Sequence, residues 1–265
     1  MSVLSEEQIA RWQRDGFLSP FPLLSKQGLQ TCCDGLDRFE KWLGGPVNAI
    51  DELKWRTMPY LILPWAAKLA HDPRILDVVE DLIGPDILIF TSTFFIKEPH
   101  SPTIAAWHQD STYYGLEPKE EVTVWVALTE ANEAAGCMNA LSFQGNPRQL
   151  SHVSRVVKNS VNRASQVITE PLVEGTPMAM PLAAGSFSMH HGLCPHRSGP
   201  NTANHRRIGL GLNFIPTSVR PAGSIKPTAM LVRGIDRYQH FERVEPPETE
   251  LDAQSVAGHE RATSL

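Results

Sequence analysis

The chain has 265 residues, a net charge of −5 and a pI near 6.1, with 42% hydrophobic and 20% charged residues. That balance allows an ordinary apolar core and excludes a surface built for nucleic acid or an anionic membrane. Cys32, Cys33, Cys137 and Cys194 form no C-x-x-C pair, so neither a disulfide framework nor a zinc site is indicated, and inert thiols in a reducing cytoplasm are expected. No basic stretch leads into an apolar run at the N-terminus, and no run reaches the roughly 18 residues of a membrane span, so a cytoplasmic protein is expected.

In chain order, Ser5-Glu6-Glu7-Gln8 starts a helix with capping-box chemistry, and Asp15-Gly16-Phe17 ends it. Pro20 and Pro22 mark an extended passage. A second helix carries Leu29, Cys32, Cys33, Leu36, Phe39 and Leu43 at helical spacing and stops at Gly44-Gly45-Pro46. Residues 47–64 are ambiguous, with Pro59 and Pro64 breaking any long element. Short helices follow over 65–70 and, capped by Asp72 with Pro73 at its first position, over 75–82. From Asp86 the period changes. Residues 87–96 and 122–128 read as strands, as do 136–141, 185–190 and 207–216, with weaker candidates at 167–173 and 178–182. Residues 143–166 read as a long polar loop, and the polar tail over 246–265 as frayed. Helices first and strands afterwards give an α+β fold with a mainly β core, read as one domain: 1–85 helical packing, 86–220 β core.

Two stretches carry chemistry: Trp107-His108-Gln109-Asp110 and Cys194-Pro195-His196-Arg197-Ser198, with Arg207 beyond the second. Two imidazoles and a carboxylate are the facial triad of a mononuclear non-haem Fe(II) site, which leaves positions open on the metal. On a strand, residues two apart share a face, so His108 and Asp110 can reach one ion. On the residues alone the third ligand stays open, because His190 and His191 also precede Arg207. Gln109, Tyr113 and Tyr114 are candidates for substrate contact at the pocket mouth, while Phe94 and Ile96 read as core.

These motifs resemble the phytanoyl-CoA dioxygenase family of Fe(II)/2-oxoglutarate oxygenases. The resemblance runs over about 4–245, through Leu4-Ser5-Glu6-Glu7-Gln8, Leu82-Ile83-Gly84-Pro85, the H-x-D triplet, Gly136-Cys137-Met138 and His196-Arg197-Ser198-Gly199-Pro200-Asn201. It implies a double-stranded β-helix, a jelly-roll or cupin-like fold, with the N-terminal helices packed outside. It implies His108, Asp110 and His196 as iron ligands. Arg207, assisted by Ser198, would hold the far carboxylate of 2-oxoglutarate, with Trp125 as an aromatic wall. An arginine fork suits a carboxylate on chemical grounds as well.

The chain departs from the family pattern at Ser142-Phe143-Gln144-Gly145-Asn146 and at Gly185-Ser186, which bears on loop shape and substrate choice. The implied activity is oxidation of an unactivated C–H of a small metabolite or natural-product intermediate, with O₂ consumed and succinate and CO₂ released. Related halogenases lack the carboxylate ligand, so Asp110 favours hydroxylation, or desaturation or ring formation. Two rivals stand beside this reading: a cupin-type metal enzyme that does not use 2-oxoglutarate, and a non-catalytic β-sandwich binding module. A small-molecule partner is expected, and no nucleic acid or membrane; the substrate and the oligomeric state are not legible.

Overall fold

Where apolar residues recur at helical spacing, the chain is helical. The computed structural model describes residues 2–50, 52–155, 157–160, 166–170, 172 and 175–264. Helix α1 (Glu6–Asp15) opens on the expected capping box, the Ser5 side chain accepting from Gln8 N and the Gln8 side chain from Ser5 N, and closes on Gly16 at φ 81°. Helix α2 (Lys26–Leu43) buries Cys32, Leu36 and Phe39. Two turns of 3-10 helix, Leu53–Arg56 and Pro59–Leu61, occupy the segment that sequence patterning leaves ambiguous. Helices α3 (Pro64–Ala70) and α4 (Pro73–Ile83) follow, the latter capped by Asp72.

The strands are β1 (Phe17–Pro22), β2 (Ile87–Lys97), β3 (Ala105–His108), β4 (Val122–Ala127), β5 (Met138–Ala140) and β6 (Met178–Met180). Then come β7 (Ser186–His191), β8 (His196–Ser198), β9 (Arg207–Pro216), β10 (Thr228–Arg233) and β11 (Glu242–Arg243). The short helix α5 (Ser111–Tyr114) sits between β3 and β4, and α6 (Ala253–Thr263) ends the described chain. Seven strands form one sheet in the order β1-β7-β4-β9-β2-β10-β11, and four form a second in the order β3-β8-β5-β6. Pairing is antiparallel except between β10 and β11. The fold is the expected α+β arrangement, a double-stranded β-helix of cupin type with helices outside. Phe39, Ile75 and Val79 of the helices share one apolar core with Phe94, Ile96, Val124, Val126, Leu210 and Leu212 of the large sheet.

Three expectations change. First, β1 lies in the stretch read as helical packing. Phe17 and Leu18 pair with His190 and Met189, and because β1 is an edge strand the sheet tolerates Pro20 and Pro22. Second, the sheet takes β10 from beyond residue 220. Third, the tail is not frayed over its length. Asp252 caps α6, and His259, fully buried, stacks on Trp55 with ring centroids 5.4 Å apart and bonds Thr57 O at 2.7 Å. Within the expected loop 143–166, His152–Ser154 pairs with Gln166–Ile168; of the candidate strand 167–173, residues 171 and 173 lie outside the described residues.

Candidate metal centre

Strand parity decides what faces the space between the sheets. Register pairs Lys97 with Arg207, Phe95 with Gly209, and Thr93 with Gly211. On the other side of β9, Gly209, Gly211 and Asn213 pair with Ala127, Trp125 and Thr123. Thr123 in turn pairs with His190 of β7. Residues two apart share a face, so these side chains form one interior wall. A Cβ at Gly209 would lie 1.9 Å from the Trp125 ring, so only glycine lets that indole lie flat on the sheet.

The second sheet supplies the facing wall. His196 of β8 sits directly across from His108 of β3, and their rings are 4.1 Å apart. The chain leaves β3 at His108, and Asp110 has αR backbone geometry at the start of α5. Asp110 therefore comes back to His108 by a turn, not by strand alternation as the H-x-D spacing suggests. Its Oδ1 lies 3.6 Å from both His108 Nε2 and His196 Nε2, and the three ligand atoms fall within 4.8 Å of one another.

Both rings are held in the orientation a metal needs. His108 Nδ1 is 2.7 Å from Ala106 O and His196 Nδ1 is 3.0 Å from Cys194 O. A carbonyl only accepts, so each Nδ1 carries the proton and each Nε2 turns a lone pair toward the cavity. Burial keeps both imidazoles below their usual pKa, His196 well below, helped by the neighbouring histidines. Burial works against the Asp110 charge, but His196, His190 and His108 around it hold the carboxyl well below the usual carboxylate range. Two neutral imidazoles and an ionised carboxylate are the donor set of a divalent transition metal.

The cavity also holds the buried Arg207, and the buried amine of Lys97 stands behind Ser198. Arg207, 4% exposed, donates through Nη1 to Gly136 O at 2.9 Å and packs over Trp125 with its carbon 5.3 Å from the ring centre. Gly136 makes that carbonyl available from a φ of +69°, and a Cβ there would strike Gly199 O at 2.4 Å. Arg207 Nε is buried with no hydrogen-bond partner among the described residues, and burial pulls the group down to about 10. Lys97 donates to Ser198 Oγ at 2.7 Å and to Gly199 O. Burial, then the charge of Arg207, pulls Lys97 down to about 6. Among the described residues neither basic group has a carboxylate partner. Such a pocket fits an anion, and the orphaned Nε is the donor it would meet.

The phytanoyl-CoA dioxygenase family model matches residues 12–209, most of the chain. The chain belongs to the phytanoyl-CoA dioxygenase family. A probable alpha-ketoglutarate-dependent hypophosphite dioxygenase of Stutzerimonas stutzeri is 24% identical over 168 residues, 62% of this chain and 57% of that protein. The match thus spans little more than half the length of that relative. The solved structure of the non-heme monooxygenase ThoJ, in its apo form, superposes with a TM-score of 0.83 at 27% identity, covering 97% of this chain and 94% of that one. CytC3 with Fe(II) and alpha-ketoglutarate superposes at 0.67 and 21% identity, covering 94% of this chain and 96% of that one, a likeness of fold.

Within this family member the other sequence-derived residues divide. Ser198, Trp125 and Arg207 all line the cavity with His108, Asp110 and His196. Tyr113 stands at the rim, its ring 6.0 Å from that of His108 and its hydroxyl accepting from Gln166 N. Gln109 does not line the cavity. It is 1% exposed, its amide nitrogen donates to Arg148 O and Leu193 O, and its oxygen accepts from Leu150 N and Gln149 Nε2. Tyr114 also leaves the cavity and packs against Phe90 beside a separate apolar cluster. His259, in the tail, is core, and His152, in the polar loop, is half-buried beside Gln109. Cys194 is buried packing, its thiol pushed up by burial. Sequence reasoning missed Lys97 and Phe95. The signal was there: with Phe94 and Ile96 in the core, alternation sends both residues inward.

Proposed function

We propose that this chain is an Fe(II)- and 2-oxoglutarate-dependent dioxygenase that oxidises an unactivated C–H bond of a small metabolite or natural-product intermediate. One observation carries the reading: His108, His196 and Asp110 meet on one cavity that also holds the buried Arg207, which has no carboxylate partner among the described residues, with the Lys97 amine behind Ser198. His108, Asp110 and His196 would hold the iron. Arg207, with Lys97 and Ser198, would take the far carboxylate of 2-oxoglutarate, and Trp125 would pack along its chain. Bound iron, with 2-oxoglutarate and O₂, supplies oxidising power, with succinate and CO₂ as co-products.

The protein's part is orientation and exclusion of water. Strands β3 and β8 fix the two imidazoles across one ladder, and the carbonyls of Ala106 and Cys194 fix their tautomers. The cavity that the metal residues line is small, about 50 Å³. A second cavity of about 220 Å³ shares Phe95 with it and is walled by Val47, Ile50, Leu53, Thr103 and Asn159. Thr103 of this cavity lies two residues from Ala105, which lines the metal cavity. The primary substrate would lie there, reaching the metal past Phe95.

Anaerobic addition of Fe(II) and then 2-oxoglutarate to the metal-free protein tests the reading. A weak visible charge-transfer band, and succinate release when O₂ is admitted, are expected. Bound iron without a band or succinate would transfer the site to a cupin-type enzyme that does not use 2-oxoglutarate. Failure to bind iron at all would leave a binding module.

A further inference from the structure

The two oxygens of Asp110 face different things. Oδ1 is the atom 3.6 Å from both imidazole Nε2 atoms. Oδ2 accepts from Thr123 Oγ1 at 2.9 Å and lies 3.0 Å from His190 Nε2. The hydroxyl of Thr123 has one proton, given to Asp110, and its lone pair accepts from Asn213 Nδ2 at 2.6 Å. The donor sense is therefore fixed along the whole line, from amide to hydroxyl to carboxylate.

His190 is 1% exposed. Since Oδ2 only accepts, its Nε2 is the donor. Its Nδ1 is buried and has no hydrogen-bond partner among the described residues. Leaving a buried polar atom unmatched costs stability, and a phenylalanine would fill this position without that cost. Packing alone therefore gives no reason for a histidine here; the N–H aimed at Asp110 does. Register puts it there, because His190 of β7 pairs with Thr123 of β4, so both donors come from neighbouring strands of the rigid sheet.

We propose that His190 is a positioning residue that, with Thr123 and Asn213, occupies Oδ2 and so confines Asp110 to binding the metal through Oδ1 alone. A carboxylate with both oxygens free can chelate an ion and fill one more position. Holding one oxygen back preserves the open positions that a chelating co-substrate and O₂ require. The inference rests on the iron reading above, and it concerns how the carboxylate binds, not whether iron binds.

The test compares wild type, His190→Phe and His190→Gln, each loaded anaerobically with Fe(II). X-ray absorption reads the number of carboxylate oxygens on iron, and titration reads 2-oxoglutarate affinity. One carboxylate oxygen is expected in wild type and two in His190→Phe, where 2-oxoglutarate must displace the second and binds about 10-fold more weakly. His190→Gln, which returns an N–H near the lost Nε2, restores one oxygen and most of the affinity. Thr123→Val removes the other donor and is read the same way, so the idea stays testable if His190→Phe does not fold. Two carboxylate oxygens in wild type, or one in the Phe and Val variants with unchanged affinity, overturns the proposal while leaving the iron reading intact. A wild type that binds no iron overturns the iron reading first, and this proposal with it.

Discussion

Replacing Arg207 by methionine should move two properties in opposite directions. In the free protein the guanidinium is 4% exposed, lacks a carboxylate partner among the described residues, and leaves Nε unmatched. Methionine keeps much of the stem packed over Trp125 while removing a buried unmatched donor, a gain of about 1–3 kcal/mol. Against this stands the lost bond to Gly136 O, about 1 kcal/mol. The net effect without ligand is a gain of up to about 2 kcal/mol, which for a chain of this size means a melting temperature higher by up to roughly 5 °C.

Co-substrate binding goes the other way. Two charge-assisted bonds to a carboxylate, taken at about 1.5 kcal/mol each because Lys97 remains, come to about 3 kcal/mol, or roughly 100-fold in affinity. The assay is thermal melting of both proteins with and without 2-oxoglutarate, beside anaerobic titration of the iron forms. A ligand-free variant that melts more than about 5 °C below wild type, or one whose 2-oxoglutarate affinity stays within threefold, would refute the reasoning.

Lys97 gives a pH signature. Its amine, pulled down to about 6, loses its charge as pH rises through that value, and a bound dianion favours the charged form. Affinity for 2-oxoglutarate should therefore be fullest, as far as this group decides it, below pH 6 and weaken as pH climbs above it; Lys97→Met should bind more weakly and lose that slope, and an unchanged slope would assign it to another group. By the same linkage, the unfolded chain binds more protons at Lys97 between pH 6 and 10.5, so ligand-free stability gains from this group as pH rises through that window. Gly209→Ala puts a Cβ 1.9 Å from the Trp125 ring and should cost about 1–3 kcal/mol while displacing the indole that supports Arg207, seen as a lower melting temperature and altered tryptophan fluorescence; wild-type values for both would show that the sheet can give way. His259→Ala removes the ring stacked on Trp55 and the bond to Thr57 O, and should cost about 2 kcal/mol and speed hydrogen exchange across 253–263 with iron affinity unchanged. Unchanged exchange would mean that the Lys54–Glu260 pair and its neighbours hold α6 without it.

What the sequence made legible follows from where periodic rules apply. Caps, helix spacing and β-branched runs located α1, α2, α4, β2, β4 and β9, because each has a period and a punctuating residue at its ends. The H-x-D pair was legible as chemistry but not as geometry: Asp110 reaches His108 through a turn at α5, which no alternation rule describes. Parity along β2 contained the position of Lys97, since a core Ile96 forces its neighbour inward. Pairing was out of reach, because nothing in a single strand says that His108 faces His196 or that His190 meets Thr123. The tail was misjudged for a different reason. Asp252 is a usable cap, but α6 has little apolar face of its own, and its fully buried side chain is a histidine stacked on a distant tryptophan. Beside Phe94, Phe95 and Ile96 of β2, the wall proposed for the primary substrate takes Val47, Ile50, Leu53, Asn159 and Ser160 from a turn of 3-10 helix and loops. Segments without a period carry no signal until the strands that they border are in place. Two of the three proposed ligands ride on strands and the third follows one by a turn, so their spacing shows in the sequence, whereas the proposed substrate wall lies on the rim.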